Sequence, residues 1–281
     1  HYDIIKGKSM RPMLIKLRGA KIPLLGISLL SLFVIVVVPL FMIFIVGFLK
    51  AYGLPLTLQN LTLRNYEYIL GQSKMVRDSI VNSLFLSVSA GVITMFLGVM
   101  IAYVVIKVKP KGKGFLEMLS LLPYSIPGLV LAIGVILVWS GTFGINLYNT
   151  IWIILIAYIA RYVSFAMKSA SASLEQVHYS LEEAARSCGA THLESLRDIT
   201  IPLIRPGMIA GFFLIFLPAM RELTTSVLLY GPFTRTLGVA IYAINSEGNT
   251  VQASALATVA IGIIIAGHFA LRYVTRDRKG L

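Results

Sequence analysis

Apolar residues along the chain gather in long uncharged runs. None of the residues from Ile22 to Leu49 is charged, and a second run lies between Asp78 and Lys107. A third stretch, Met118 to Ala160, is interrupted at Ser140-Gly141-Thr142-Phe143-Gly144, where glycine favours a turn, so it divides into two. Further runs extend from about Met208 to about Tyr230 and from about Ala253 to Leu271. A helix crosses a bilayer in about 20 mostly apolar residues. The pattern therefore predicts an all-α polytopic membrane protein with six transmembrane helices. Residues 22–274 form the membrane domain, between a polar segment 1–21 and a tail 275–281.

Composition agrees and narrows the class. The chain is 57% hydrophobic and 13% charged, against about 45–50% and about 25% in soluble domains. An ordinary soluble enzyme, a disordered chain and a disulfide scaffold are excluded. Cys188 is the single cysteine, so no internal disulfide can form. Residues 1–21 hold six basic residues and no continuous apolar run, unlike a signal peptide.

The formal net charge of +13 follows from placement. Sorted by the six spans, 19 basic residues fall on the side of the termini, among them Lys6, Lys8, Arg11, Lys16, Arg161, Arg278 and Lys279. Five fall on the other side, and Arg221 lies within the fifth span. Such a bias places both termini in the cytoplasm. It also accounts for the charge without nucleic acid, which is not expected as a partner.

The most polar part of the chain, about Arg161 to Arg205, holds five of the twelve acidic residues. Ser180 and Glu183 have capping-box spacing, and Gly189 suits a left-handed helix end. Thr191 and Glu194 repeat the box for a second helix, which Pro202 should stop. Leu181, Ala184, Ala185 and Cys188 make a smooth apolar strip on the first helix, as do Leu193, Leu196 and Ile199 on the second. Glu182, Arg186, Arg197 and Asp198 offer a polar rim. Two readings fit: amphipathic helices lying on the membrane, or a docking knob for a cytoplasmic partner.

A second group lies within the apolar runs. Arg221 and Glu222 fall near the middle of the expected fifth span, where an arginine costs roughly 2.5–3.5 kcal/mol on insertion scales. As neighbours on a helix they point about 100° apart and cannot pair with each other. Pro218 removes a backbone donor just before them, which predicts a kink or break. The pair serves either as ionic contacts to other helices or as the lining of a substrate pathway. Pro123 and Pro127 should kink the third span. His178, His192 and His268 lack metal-ligand spacing and read as structural, and Cys188 reads as a packing residue. No catalytic constellation stands out.

The polar insert resembles the EAA loop of type I importer permeases of ABC transporters. Glu183-Ala184-Ala185 is followed at the family spacing by Gly189, then Ile199, Ile201 and Pro202. Ile201 stands where the family has leucine, and Cys188 where it often has aspartate. The resemblance implies a coupling loop, about 169–205, between helices 4 and 5. Through it Glu183, Ala184, Ala185, Gly189 and Pro202 would meet an ATP-binding subunit. It implies two ATP-binding cassette subunits, a second permease half (the same or a homologous chain) and a periplasmic or lipid-anchored solute-binding protein as partners, in an inner-membrane assembly. The chain lacks a G-x-x-x-x-G-K-[ST] loop, so it is expected to bind no cofactor, with ATP-Mg held by the partners.

Met220-Arg221-Glu222-Leu223, Ser226 to Pro232, and Ile159-Ala160-Arg161-Tyr162 resemble the ferric-iron subgroup. Gly7-Lys8-Ser9-Met10-Arg11-Pro12 resembles the linker of double-length iron permeases. With His1 in first place, it suggests a C-terminal half or a chain cut from a longer one. Permeases for sulfate, polyamines, thiamine or phosphonates share much of the pattern. A secondary transporter or channel, with Arg221-Glu222 as an ion relay, is the rival class, and a membrane scaffold without transport a third.

Overall fold

A computed structural model describes residues 18–276. The expectations placed on Lys6, Lys8, Arg11, Lys16, Arg278, Lys279 and the linker-like Gly7 to Pro12 fall outside the described residues.

The path is α1 (Lys21–Gly47), α2 (Lys74–Val108), α3 (Lys113–Ser125), α4 (Gly128–Trp139), α5 (Ile151–Leu174), α6 (Tyr179–Ser187), α7 (His192–Met220), α8 (Leu237–Ser246) and α9 (Thr250–Arg276). Five of these, α1, α2, α5, α7 and α9, are long and apolar enough to cross a membrane. The pair α3 and α4 makes a sixth when taken together, as the apolar runs predict.

The third span kinks as its prolines lead one to expect, bending by 109° between α3 and α4, whereas the fourth and fifth differ in detail from the sequence reading. Pro127 disfavours helical geometry in the residue before it, and Ile126 is accordingly extended, with ψ 134°. The fourth does not end where charge begins: α5 runs on to Leu174. Arg161 lies near its middle rather than at the cytoplasmic side, because a buried carboxylate faces the guanidinium and the helix can continue past it.

The fifth span is displaced toward the N-terminus. It starts at His192, is continuous through Pro202, and stops at Met220 instead of Tyr230. Pro202 does not end it because the preceding turn, Leu196–Thr200, is a π turn in which the Ile201 N–H donates to the Leu196 carbonyl. That wider register accommodates a ring that would clash with a carbonyl four residues back. After Met220 the chain breaks, turns once through Ser226–Leu229, and enters the ten-residue α8, too short to span.

The core is the contact of α2 with α5, with α7 packed across both. Leu86, Ala90 and Val99 of α2 meet Ile154, Tyr158 and Ala166 of α5, and α7 adds Ile204 and Ile215. Lipid tails are as apolar as these side chains, so close packing of small residues drives helices together. At Gly98 a Cβ would lie 2.4 Å from the Ala166 Cβ, so the two backbones nearly touch. A second cluster joins α8 and α9 to the start of α2 through Val76, Leu237, Ala240 and Leu256. α1 packs on α9 through Val38–Gly47, and its apolar side chains are otherwise exposed, as suits a helix facing lipid.

Candidate functional site

The polar loop is built by local hydrogen bonds. His178 caps α6: its Nδ1 accepts from the Ser180 N–H at 3.2 Å. Ser180 is therefore not the cap that the Ser180–Glu183 spacing suggested. A histidine ring nitrogen two residues upstream has taken the first free donor. At the other end Gly189 adopts φ +96°, as expected for a left-handed position. The Gly189 N–H donates to Arg186 O at 3.0 Å and the Ala190 N–H to Ala185 O at 3.1 Å, closing a Schellman motif. Thr191 and Glu194 form the capping box expected of them. The Thr191 N–H donates to Glu194 Oε2 at 2.7 Å, and Thr191 Oγ1 accepts from the Glu194 N–H at 3.3 Å.

α6 has an outer and an inner side. Leu181, Glu183, Ala184, Arg186 and Cys188 are exposed, and Ala185 is half-buried. Cys188 ends α6 in the open rather than in a packed contact. Glu182 leaves the expected polar rim and is buried. Lys107, at the end of α2, places its Nζ 3.2 Å from Glu182 Oε1 and donates to Val177 O at 2.8 Å. The Thr200 hydroxyl donates to the same carboxylate oxygen at 3.0 Å. The pair lines a groove of about 520 Å³ between the end of α2, α6 and α7, with Glu183, Arg186, His192 and Leu193 also on its walls. Arg197 and Asp198 stay at the surface, 3.8 Å apart. Pro202 is exposed on α7 below.

The second site lies where two helix breaks meet. α7 ends at Met220, two residues after Pro218, so the expected break is present. Arg221 and Glu222 then stand at the end of the helix rather than midway along a span, and they separate as their adjacency requires. Arg221 is exposed, whereas Glu222 is buried.

Every oxygen of Glu222 has a partner. Tyr162 donates to Oε2 at 2.7 Å, and Arg161 Nε lies 3.7 Å from it. Oε1 accepts from the Thr224 hydroxyl at 2.6 Å and the Thr225 N–H at 3.0 Å. The Glu222 carbonyl accepts from the Ser226 hydroxyl at 2.8 Å, which anchors the turn that follows. Gly128, the first residue of α4, touches this loop. A Cβ there would lie 2.3 Å from Thr224 Oγ1 and 3.0 Å from Arg161 Nη1, so the close approach needs glycine. Among the described residues, Arg161 Nη1 is buried without a hydrogen-bond partner.

Glu222 thus has the ionic partner of the structural reading, and it also sits at the junction of two broken helices, as a pathway residue would. Tyr162, Thr224 and Gly128 belong to the site and were not singled out as site residues from sequence. Arg161-Tyr162 stood in a recognised segment, but nothing in its spacing pointed to a residue 60 positions on. Among the described residues, no three His, Cys, Asp or Glu side chains gather as a metal site.

Comparison with known proteins shows the family and the fold. The model of the family "Binding-protein-dependent transport system inner membrane component" matches residues 94–280. A protein of Salmonella paratyphi A, named as a 2-aminoethylphosphonate transport system permease protein, is 30% identical over 189 residues, covering 67% of this chain and 71% of that one. A protein of Haemophilus influenzae, named as a ferric transport system permease protein, is 31% identical over 238 residues. The match covers 83% of this chain and 37% of that longer relative. Among solved structures, a permease chain of a bacterial alginate ABC transporter, crystallised with an alginate-bound periplasmic protein, shares the fold. Its TM-score is 0.68 at 19% identity, with 90% of this chain and 94% of that one covered.

Proposed function

The chain belongs to the family of binding-protein-dependent transport system inner membrane components and is a permease of an ABC importer; we propose that it forms half of an inner-membrane pathway for ferric iron. The outer side of α6 carries the coupling reading. Glu183 and Ala184 are exposed on a short helix fixed at both ends, while the neighbouring Glu182 anchors it inward. A helix so held offers a rigid knob to a cleft on an ATP-binding cassette subunit. A second ATPase subunit docks on the other permease half, and a solute-binding protein delivers substrate at the opposite face. ATP-Mg belongs to the ATPase partners, since the sequence holds no phosphate-binding loop of the Walker type. Both termini lie in the cytoplasm, supported by a basic excess that survives moving Arg161 into α5.

Iron is favoured by the similarity to the ferric permease, which extends over 83% of the chain. Ferric iron is a hard cation that prefers oxygen ligands. Glu222, Tyr162 and Thr224 bring three such groups together at the junction of the breaks. Their mutual hydrogen bonds would make any contact with a passing ion brief, as conduction requires.

One observation favours a second reading, a phosphonate substrate. The unpartnered Nη1 of Arg161 could donate to a phosphonate oxygen. The test is uptake into proteoliposomes holding the whole transporter, ATPase and binding protein included. ATP-dependent accumulation of labelled ferric iron, absent with labelled 2-aminoethylphosphonate, is the expected outcome. The reverse pattern overturns the iron assignment. Uptake that ignores ATP and follows an ion gradient overturns the coupling reading.

A further inference from the structure

Glu182 and Glu183 are adjacent and do opposite things. Glu183 is exposed on the side of α6 assigned to docking, whereas Glu182 is buried against a residue from a different span. That residue, Lys107, has a side chain only 3% exposed. Its ammonium is fully engaged: Glu182 Oε1 at 3.2 Å, Val177 O at 2.8 Å, and the Tyr179 ring with its centroid at 4.5 Å. The Tyr179 hydroxyl returns a hydrogen bond to the Lys107 carbonyl. Thr200, fully buried near the start of α7, donates to the same Glu182 oxygen.

By chain connection α6 is joined to α5 and α7. It reaches α2 through these side chains. An apolar contact at this place would hold the two elements together but allow them to slide. A buried charge pair with shared hydrogen bonds fixes one register, because leaving either charge unpaired is costly.

Resting on the docking reading above, we infer that the Lys107–Glu182 pair is the positioning link through which movement of the docked loop reaches the second span. α6 and the end of α2 move as one body when the ATPase closes. Neither residue touches substrate or nucleotide. Their role is to transmit.

The experiment uses the assembled transporter with its ATPase subunits and reads one distance within this chain. Spin labels are placed at Cys188, exposed at the end of α6, and at Lys111→Cys, exposed just after α2. Association of the ATPase is checked on the labelled protein. With the pair intact the label distance stays the same with and without ATP-Mg. In Lys107→Met/Glu182→Met, where packing is kept and the charges are gone, it shifts by more than about 2 Å on adding ATP-Mg. Glu182→Gln, a milder change, shifts in the same direction. Coupling losses of this kind lower uptake per ATP hydrolysed by about tenfold, while hydrolysis itself continues. A nucleotide-dependent shift with the native pair overturns the inference, as does a constant distance in the methionine variant with ATPase bound. Failure of the native chain to retain any ATPase overturns the docking reading instead, a separate result seen before any label is measured.

Discussion

The polar loop between α5 and α7 and the junction of broken helices both bury a glutamate against a basic side chain, yet they are made in different ways. In the loop, the interactions that cap the helix ends lie close together in sequence: His178 with Ser180, Thr191 with Glu194, Gly189 with Arg186. In the junction, Glu222 bonds to Tyr162 from 60 positions earlier, and Gly128 of α4 lies against Thr224. Apart from the ties of Glu182, Val177 and Tyr179 to Lys107, the bonds that cap the loop's helices stay within its own segment, so a lost cap should loosen one helix end. Losing a member of the junction should disturb α4, α5 and α7 at once. Substitutions ranked by their expected cost to stability test that contrast.

The largest cost should come from Glu222→Leu. It leaves Tyr162, Thr224, the Thr225 N–H and the Arg161 charge without their acceptor. Breaking a buried pair by removing one partner costs about 3–5 kcal/mol. Thermal unfolding in detergent should show it. A melting temperature unchanged from that of the native protein would mean that the junction does not hold the helices. Next comes Gly128→Ala, whose methyl would press on Thr224 Oγ1 and Arg161 Nη1. Overpacking of this kind costs about 1–3 kcal/mol. The paired change Gly128→Ala/Thr224→Ala removes the hydroxyl and should recover part of that loss. Equal melting of the single and paired variants would show that the clash is relieved elsewhere.

The same contrast explains how much could be read from sequence. Uncharged runs predict spans because lipid tolerates little else, and the six runs lead to the five long helices and the bent pair. Thr191–Glu194 and Gly189 were legible because the signature and its structural effect occupy the same few residues. Ser180 misled because a histidine beside it can also accept the bond, and the spacing rule carries no ranking between them. The fourth span outruns its uncharged stretch because Arg161 and Glu222 neutralise each other across a sequence separation that reveals no such pairing. The fifth falls short of Tyr230 because the helix breaks just after Pro218, before Arg221 and Glu222. Pro202 was misplaced because a π turn is a tertiary accommodation with no local signal. Glu182 and Glu183 could not be assigned inner and outer sides until the position of Lys107 was known.

Within the loop the expected costs are smaller and local. Gly189→Ala forces a side chain into φ +96°, at about 1–2 kcal/mol. Thr191→Ala removes the acceptor for the Glu194 N–H at the start of α7, at about 1 kcal/mol. Both should raise hydrogen exchange in the 175–195 segment without changing protection in α2 and α5. A loss of protection that spreads into α5 would show that the loop is not a local unit.

The smallest effect on stability should come from Glu183, on the side of α6 proposed for docking. Glu183 is exposed, it does not cap α6, and its carboxylate is not part of the Lys107 pair. Exposed substitutions of this kind usually change stability by no more than about 0.5 kcal/mol. Glu183→Lys should therefore melt with the native protein. It keeps a long side chain on a helix, so the backbone of α6 has no reason to move. If the outer side of α6 meets the ATPase, the reversed charge nevertheless faces the partner at the centre of the contact. ATP-driven uptake should then be lost, together with co-purification of the ATPase. Glu182→Gln should separate the two neighbours in the opposite sense, with the ATPase retained and uptake per ATP reduced. A Glu183→Lys chain that retains its ATPase and transports normally would remove α6 from the docking surface. The loop would then revert to a pair of helices resting on the membrane.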